Sequence, residues 1–322
     1  MTITVALAGD TMLGRGVADE IGAAGPHGLF SRGVRDVFHE ADLALLNLEC
    51  CVSGRGRPWD APGKSFHFRA PPDAVEALAG LGVDCVTLAN NHALDFGEDA
   101  LADTLAHLGA AGVRTVGAGP GVREARTPVI LEAGGLRVAV VGVTDHPPDF
   151  AAGPDRPGVA FADLRHGTDA WLRDEIRALA RSNDLVVVLP HWGPNMTEEP
   201  LRYVRRAAGD LVDAGASLVA GSSAHVFHGV APPVLFDMGD FIDDYAVSEL
   251  LRNDLGLLFL ARLGGDGLSR VEAVPLRLDF ARTRLAGAAD RDWIAGRFTA
   301  ACAEFGTAVA VEDDRLVIDA SR

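Results

Sequence analysis

Asp10, Glu49, Asn91, His92, His191 and His225 are of types that suit metal or proton-transfer chemistry, and each follows the end of a short apolar run. The runs Thr2–Ala8, Ala41–Leu46, Val83–Leu88, Asp184–Leu189 and Ser217–Ala220 read as strands. In α/β sheets ligands bind beyond the carboxyl ends of the strands. If these strands run parallel, their polar ends meet on one edge. Carboxylate, amide oxygen and imidazole together suit borderline divalent ions such as Mn²⁺, Zn²⁺ or Fe²⁺. One or two such ions would activate water, lowering its pKa from about 15.7 to about 7. The chemistry this points to is metal-assisted hydrolysis.

The densest stretch is ANNHALDFG, Ala89 to Gly97. It follows a strand and leads into Leu101, Leu105 and Leu108 at helical spacing. Within six positions it offers two amide oxygens, an imidazole and a carboxylate. Two readings stand side by side. Asp95 or Asn91 caps the helix, or the loop is one wall of a shared site.

The remaining elements must position these groups. Helices are predicted over 29–39, 71–81, 97–112, 169–181, 201–212 and 291–304, and hairpins around Gly134-Gly135 and Gly264–Gly267. Residues 53–64 are rich in Gly, Pro and Arg and read as loop. No repeat or convincing linker divides the 322 residues, so a single domain over 1–322 is expected.

The net charge of −16 argues against binding nucleic acid or an anionic membrane surface. No apolar run approaches the roughly 18 residues that suggest a membrane span. The first residues already alternate like a strand and read as no signal peptide. The four cysteines have no metal-type spacing and are expected to be free thiols in a reducing compartment, so the protein is expected to be cytoplasmic.

In chain order, GDTMLGR, NLE, ANNHALDFG, HWGPN, GSSAHVF and MGDF cover most of residues 3–245. Each is weak alone, but the ordered set resembles the CapA family of capsule and poly-γ-glutamate synthesis proteins, related to calcineurin-like metallophosphoesterases. The resemblance implies an α/β fold, a four-layer α/β/β/α sandwich. Residues 246–322 would complete its second sheet and supply a C-terminal helix. It implies Asp10, Glu49, Asn91, His191 and His225 as ligands of one or two divalent ions. His92 would be the general acid, kept protonated by a nearby carboxylate such as Asp95. Ser222 and Ser223 stand where related sequences carry a histidine, which would cost the centre a ligand. His67, His146 or His228 would have to substitute in space.

Arg15, Lys64 and Arg69 lie in or near site loops and suit an anionic small-molecule or peptide-like substrate. Asn195, His146, Ser222, Asp240 and His228 are the other candidates on the substrate side, with Asp240 also placed to orient a ligand histidine. Trp192 and Phe241 line the pocket or belong to the core, and Asp243 and Asp244 read as solvated. A metal-dependent hydrolase of a phosphoester or γ-glutamyl-type amide is the first functional reading. A non-catalytic accessory or binding protein of polymer synthesis is the second. The sequence leaves the oligomeric state open.

Overall fold

The structure, a computed structural model, describes residues 1–321. It is a mixed α/β fold with two main sheets. The strands that carry the site are β1 (Thr2–Thr11), β2 (Leu43–Leu48), β3 (Cys85–Thr87) and β4 (Arg114–Val116) in the larger sheet. The smaller sheet holds β5 (Val129–Ala133), β6 (Leu136–Thr144), β7 (Leu185–His191), β8 (Leu218–Ala220), β9 (Val230–Ala231) and β10 (Val234–Leu235), in the order β9-β10-β8-β7-β6-β5. β1 to β4 pair in parallel, and so do β6, β7, β8 and β10. Their carboxyl ends therefore converge as expected.

Side-chain alternation decides which core each strand enters. Ile3, Val5 and Leu7 of β1 pack in a central core with Val138, Val140, Val187 and Leu189 from the smaller sheet. Ala6 and Ala8, on the opposite face, pack with helices α1 (Arg15–Ala24), α2 (Arg32–Phe38), α3 (Val75–Leu81) and α4 (Gly97–Ala110). On the outer face of the smaller sheet, Ala139, Val141, Val186 and Val188 pack with α5 (Ala170–Ala180) and α6 (Arg202–Ala214). Strands buried on both faces read as near-continuous apolar runs, which is why they are legible in the sequence.

The C-terminal region departs from expectation. β11 (Asp240–Ile242), β12 (Leu255–Gly264), β13 (Gly267–Asp279), β14 (Arg282–Leu285), β15 (Ala310–Glu312) and β16 (Arg315–Asp319) join the first, larger sheet, not the second. β12 pairs antiparallel with β1 from Thr2 opposite Gly264 to Leu7 opposite Phe259. Its Leu257, Phe259 and Leu263 fill the central core, and that burial favours the edge of β1. Helix α7 (Ala288–Ala303) adds Ile294, Phe298 and Cys302 to the same core. Helix α1 is absent from the sequence-based expectations. Its only apolar signal is Val17 and Ile21, one turn apart among glycines and alanines.

β1 bends where it reaches the site, with a register shift between Ala8 and Asp10. Gly9 is required there. A Cβ on it would meet the Gly239 carbonyl oxygen at 1.9 Å. That close approach lets the Asp10 amide donate to the same carbonyl at 2.9 Å and sets Asp10 opposite Asp240.

Candidate metal centre

Asp10, Glu49, His225 and Asp240 form a buried group whose ligand-type atoms lie within 4.8 Å of one another. Each reaches this point for a local reason. Asp10 ends β1, and Glu49 follows β2. His225 sits on the loop after β8, at φ 61°, and Ser223 of that loop is at φ 125°. Such backbone values in non-glycine residues store strain and recur at functional sites. Here the turn aims the Ser223 amide at Asp10 Oδ2 (3.2 Å) and His225 Nδ1 at the same oxygen (3.4 Å). His225 Nδ1 is also 2.8 Å from Asp240 Oδ1. Asp240 thus contacts the His225 ring it was expected to orient, and also belongs to the group itself. It begins its own short strand rather than ending one.

Glu49 has no exposed surface, and neither of its carboxylate oxygens has a hydrogen-bond partner. Asp240 Oδ2 is likewise buried without a partner. Burial pushes the Glu49 carboxyl well above its ordinary range, and the neighbouring Asp10 pushes it further. Burial raises Asp10 and Asp240 too, and Asp237 is raised to about 8, by burial first and then by Asp10. Burial pulls His225 down, but the Glu49 and Asp10 charges outweigh it and its pKa is raised. One imidazolium cannot balance several buried carboxyls. An unpaired buried charge costs about 3–5 kcal/mol, so a cation fits this donor set.

His191 stands on the other side of Glu49. Its Nε2 is 3.8 Å from Glu49 Oε1 and 2.9 Å from Asn91 Oδ1. Its Nδ1 is 3.7 Å from Asp10 Oδ1, 3.1 Å from Ser222 Oγ and 3.3 Å from Asn47 Nδ2. Burial, then the nearby His146, holds it well below its ordinary pKa, so it is a neutral donor. The two oxygens of Glu49 thus face two sets of donors, Oε2 toward His225 at 4.0 Å and Oε1 toward His191. Asn91 lies with the second set, and Ser222 reaches it only through His191.

The loop after β3 divides its residues. Asn90 ties the loop to β2, donating to the Leu48 carbonyl (2.8 Å) and Asn47 Oδ1 (2.9 Å). The helix-cap reading is overturned. α4 is preceded by Phe96 and has no side-chain cap. Asp95 turns inward instead, its Oδ2 accepting from the Phe68 amide at 2.6 Å and lying 2.5 Å from His92 Nδ1. Its Oδ1 is 2.6 Å from Lys64 Nζ. Phe68 stacks on the His92 ring with centroids 4.0 Å apart. His92 Nε2, 3.9 Å from Glu49 Oε1, faces the site. The expected protonation is not what this environment gives. Burial outweighs the opposing pull of Asp95 and lowers His92 to about 4.

Several expected residues lie elsewhere or are committed. Lys64 is bound to Asp95 and donates to the Asn91 carbonyl at 2.9 Å, so it is not free for substrate. Arg69 points away, donating to the Arg55 carbonyl and stacking on Phe96. His228 is buried beneath the loop after β7, its Nε2 against the Thr197 carbonyl at 2.8 Å. His67 contacts the Trp59 carbonyl at 2.9 Å. Neither completes the centre. His146 does stand beside it, 5.2 Å from His191 ring to ring, with Nδ1 held by Asp145. Trp192 and Phe241 are core residues. Asp243 and Asp244 are not solvated. Asp243 is buried, and Asp244 accepts from the Gly16 amide and pairs with Arg15.

Sequence reasoning gives no role to Asn47, which donates to Asp10 Oδ1 at 2.7 Å. A polar residue in an apolar strand two positions before Glu49 is the available signal. Asp237 is missed as well. It accepts from the Ala224 and Gly239 amides and so holds the His225 loop.

Two clefts open at His92. One, of about 350 Å³, runs past Trp59, Lys64, His146 and Phe150. The other, of about 310 Å³, runs past Arg15, Phe68, His225 and Tyr245. Asn195, whose Nδ2 is 3.0 Å from His225 Nε2, lines both. A larger depression, about 680 Å³, includes Ser217 and Asp266 in its wall but none of these site residues.

The sequence profile of the family described as bacterial capsule synthesis protein PGA_cap matches residues 4–245. The chain belongs to this family. A probable polyglutamine synthesis accessory protein of Mycobacterium tuberculosis is 31% identical, the match covering 98% of this chain and 95% of that protein. The PGA biosynthesis protein CapA of Bacillus subtilis is 26% identical, over 85% of this chain and 71% of that one. The capsule biosynthesis protein CapA of Bacillus anthracis is 28% identical, over 86% and 67%. This PGA_cap chain has, among its described residues, no helix long and apolar enough to cross a membrane.

Proposed function

We propose that this PGA_cap protein is a metal-dependent hydrolase of capsule- or polyglutamate-type metabolism, acting on a γ-glutamyl-type amide or a phosphoester. The observation that carries the reading is Glu49, a fully buried carboxylate with both oxygens unpartnered between two sets of donors. Asp10, Glu49, His225 and Asp240 would hold one divalent ion. Glu49, His191 and Asn91 would hold a second. Mn²⁺, Zn²⁺ or Fe²⁺ suits the mixture of oxygen and imidazole donors. When bound, such ions polarise the reacting group and supply a nucleophile from water near neutral pH.

The chain's own residues do the rest. Asp95 fixes the His92 ring through Nδ1 and leaves Nε2 facing the cleft. With Nε2 unprotonated at neutral pH, His92 accepts a hydrogen bond first. It acts as an acid only when an anionic substrate draws in its proton. Asp95 is thus a positioning residue whose charge Lys64 offsets. The whole chain works as one domain of metallophosphoesterase-like, four-layer α/β/β/α type, and its four buried thiols suit the cytoplasm.

Metal analysis with a paired screen of phosphoesters and γ-glutamyl peptides tests this. The purified protein should hold at least one equivalent of transition metal, and His92→Ala should keep it while losing roughly 10²–10⁴-fold in turnover. A protein that holds no metal, and whose melting temperature Mn²⁺ does not raise, would favour the accessory reading.

A further inference from the structure

Tyr245 lines the second cleft beside Phe68, His92 and His225. It is one of two tyrosines in the chain, and the two are placed differently. Tyr203 has a protein partner, its hydroxyl donating to Asp145 Oδ2 at 2.8 Å. The Tyr245 hydroxyl is buried and has no hydrogen-bond partner among the described residues. Burial pushes its pKa well above the ordinary value, and the charges of Glu49, then Asp240, Asp243 and Asp10, push it further. The phenol therefore lies near the acidic centre, yet none of these carboxylates is within hydrogen-bond reach of it. A buried polar atom without a partner is costly, and a native exception points to catalysis, an ion or a bound water.

The ring is held in place. Its edge meets the His225 ring, centroids 5.2 Å apart at 80°. It also lies tilted against Phe68 at 5.7 Å, and Phe68 in turn stacks on His92. Just beyond β11, the Tyr245 amide donates to Asp243 Oδ1 at 2.8 Å and fixes the backbone. Because the hydroxyl is closed to bulk water, an acceptor reaches it from the centre and not from the outer cleft. A phenol is neutral and donates one hydrogen bond at neutral pH. It adds no charge for a cation to offset. Its O–H suits an oxygen that gains negative charge at the centre, where a preorganised donor shielded from water acts most strongly.

We propose that Tyr245 is a further catalytic residue, its phenol donating a hydrogen bond to the oxygen that the reacting group presents to Asp10, Glu49, His225 and Asp240. This rests on the hydrolase reading for its effect on turnover, but not for its effect on binding a tetrahedral anion. The phenol keeps its proton, and proton transfer stays with His92.

Tyr245→Phe tests it, since this removes the hydroxyl and keeps the ring. In the metal-free full chain the variant should melt at the same temperature as the unaltered protein or higher, because an unpaired buried group is gone. Tyr203→Phe, which breaks a bond to Asp145, should melt lower. Calorimetry on the Mn²⁺-loaded proteins should show inorganic phosphate binding about tenfold more weakly to Tyr245→Phe. Mn²⁺ affinity itself should change less than about threefold. Turnover of a probe that the unaltered protein cleaves should fall roughly 10²–10³-fold. Equal phosphate affinity in the two proteins, or no binding to either, overturns the proposal. So does a lower melting temperature of metal-free Tyr245→Phe, since the hydroxyl would then have a protein partner. A tenfold or greater loss of Mn²⁺ affinity also overturns it, by making the phenol oxygen a ligand of the ion. Weaker phosphate binding, with no probe cleaved by the unaltered protein, would uphold the donor and sink the hydrolase reading. Cleavage that Tyr245→Phe leaves unchanged would do the reverse.

Discussion

Glu49 and Asp95 are both carboxylates without exposed surface, and both lie against His92. Around Asp95 the charge is answered, although its Oδ1 makes no hydrogen bond and has only the Lys64 ammonium at ion-pair distance. A backbone amide, an imidazole and an ammonium surround it, and Lys64 neutralises it within 2.6 Å. Around Glu49 other acids crowd in and no oxygen has a partner. The difference separates two jobs. An ion-paired buried anion orients its neighbours, and an unpaired one suits a cation.

Replacing each carboxylate by its amide should therefore have opposite consequences. Glu49→Gln should weaken Mn²⁺ binding at least 100-fold, consistent with the loss of a ligand common to both donor sets, and it should not destabilise the metal-free protein, because a buried like-charge repulsion is removed. Titration calorimetry and melting curves with and without Mn²⁺ read both effects. A Glu49→Gln protein that still gains stability from Mn²⁺ would break the comparison. Asp95→Asn should bind Mn²⁺ nearly as well but lose about 1–3 kcal/mol of stability, since the partly buried Lys64 ammonium then keeps only the Asn91 carbonyl as a partner. Denaturant unfolding measures that loss, and a loss below about 1 kcal/mol would mean that Lys64 swings out to water.

The pH dependences of the two regions should also oppose each other. Asp237, beside Asp10, is raised from 3.8 to about 8, so the folded state holds its proton more tightly than the unfolded chain. Its contribution is complete below pH 3.8 and is lost as the pH rises toward 8. His92 is lowered from 6.5 to about 4, so the unfolded chain takes up the proton first. Its contribution is present above pH 6.5 and is lost as the pH falls toward 4. Each group contributes a slope of up to roughly 1.4 kcal/mol per pH unit in its window. In the metal-free protein Asp237→Asn should flatten the alkaline loss, and His92→Gln the acid loss. Unfolding free energies measured from pH 4 to pH 8 would show each slope. Saturating Mn²⁺ should flatten only the Asp237 side, because a cation beside Asp10 favours its charged form.

What the sequence could show follows the same division. Buried strands are legible from their apolar runs, and the residues at their ends from type and position, so Asp10, Glu49, His191 and His225 converge as expected. Partnership is not legible. Nothing in ANNHALDFG tells that Asn90 clamps β2 while Asn91 meets His191, because a neighbouring strand makes the choice. The same holds for Lys64, which looks like a substrate cation until the fold brings Asp95, from the far side of the 53–64 loop and the loop after β3, to its ammonium. The placement of β12 beside β1 depends on competition between sheet edges that share one core, and local pattern is silent on that.

Ser222 offers the smallest and most selective test. Its hydroxyl lies 3.1 Å from His191 Nδ1, and its nearness to Asp10 eases the rise in that carboxyl's pKa. It thus links the two donor sets without serving as a strong ligand to either. An imidazole at this position would bring a nitrogen to the side of Asp10 that the amide of Asn47 now covers at 2.7 Å. Ser222→His should therefore tighten Mn²⁺ binding by about tenfold, roughly 1.4 kcal/mol, provided that Asn47 gives way. Pairing it with Asn47→Ala makes the argument sharp. If the shared space is what limits the new ligand, the double variant should bind more tightly than Ser222→His alone. If Asn47→Ala instead weakens binding in both backgrounds, Asn47 holds Asp10 in place, and its amide is part of the support of the centre rather than an obstacle to it.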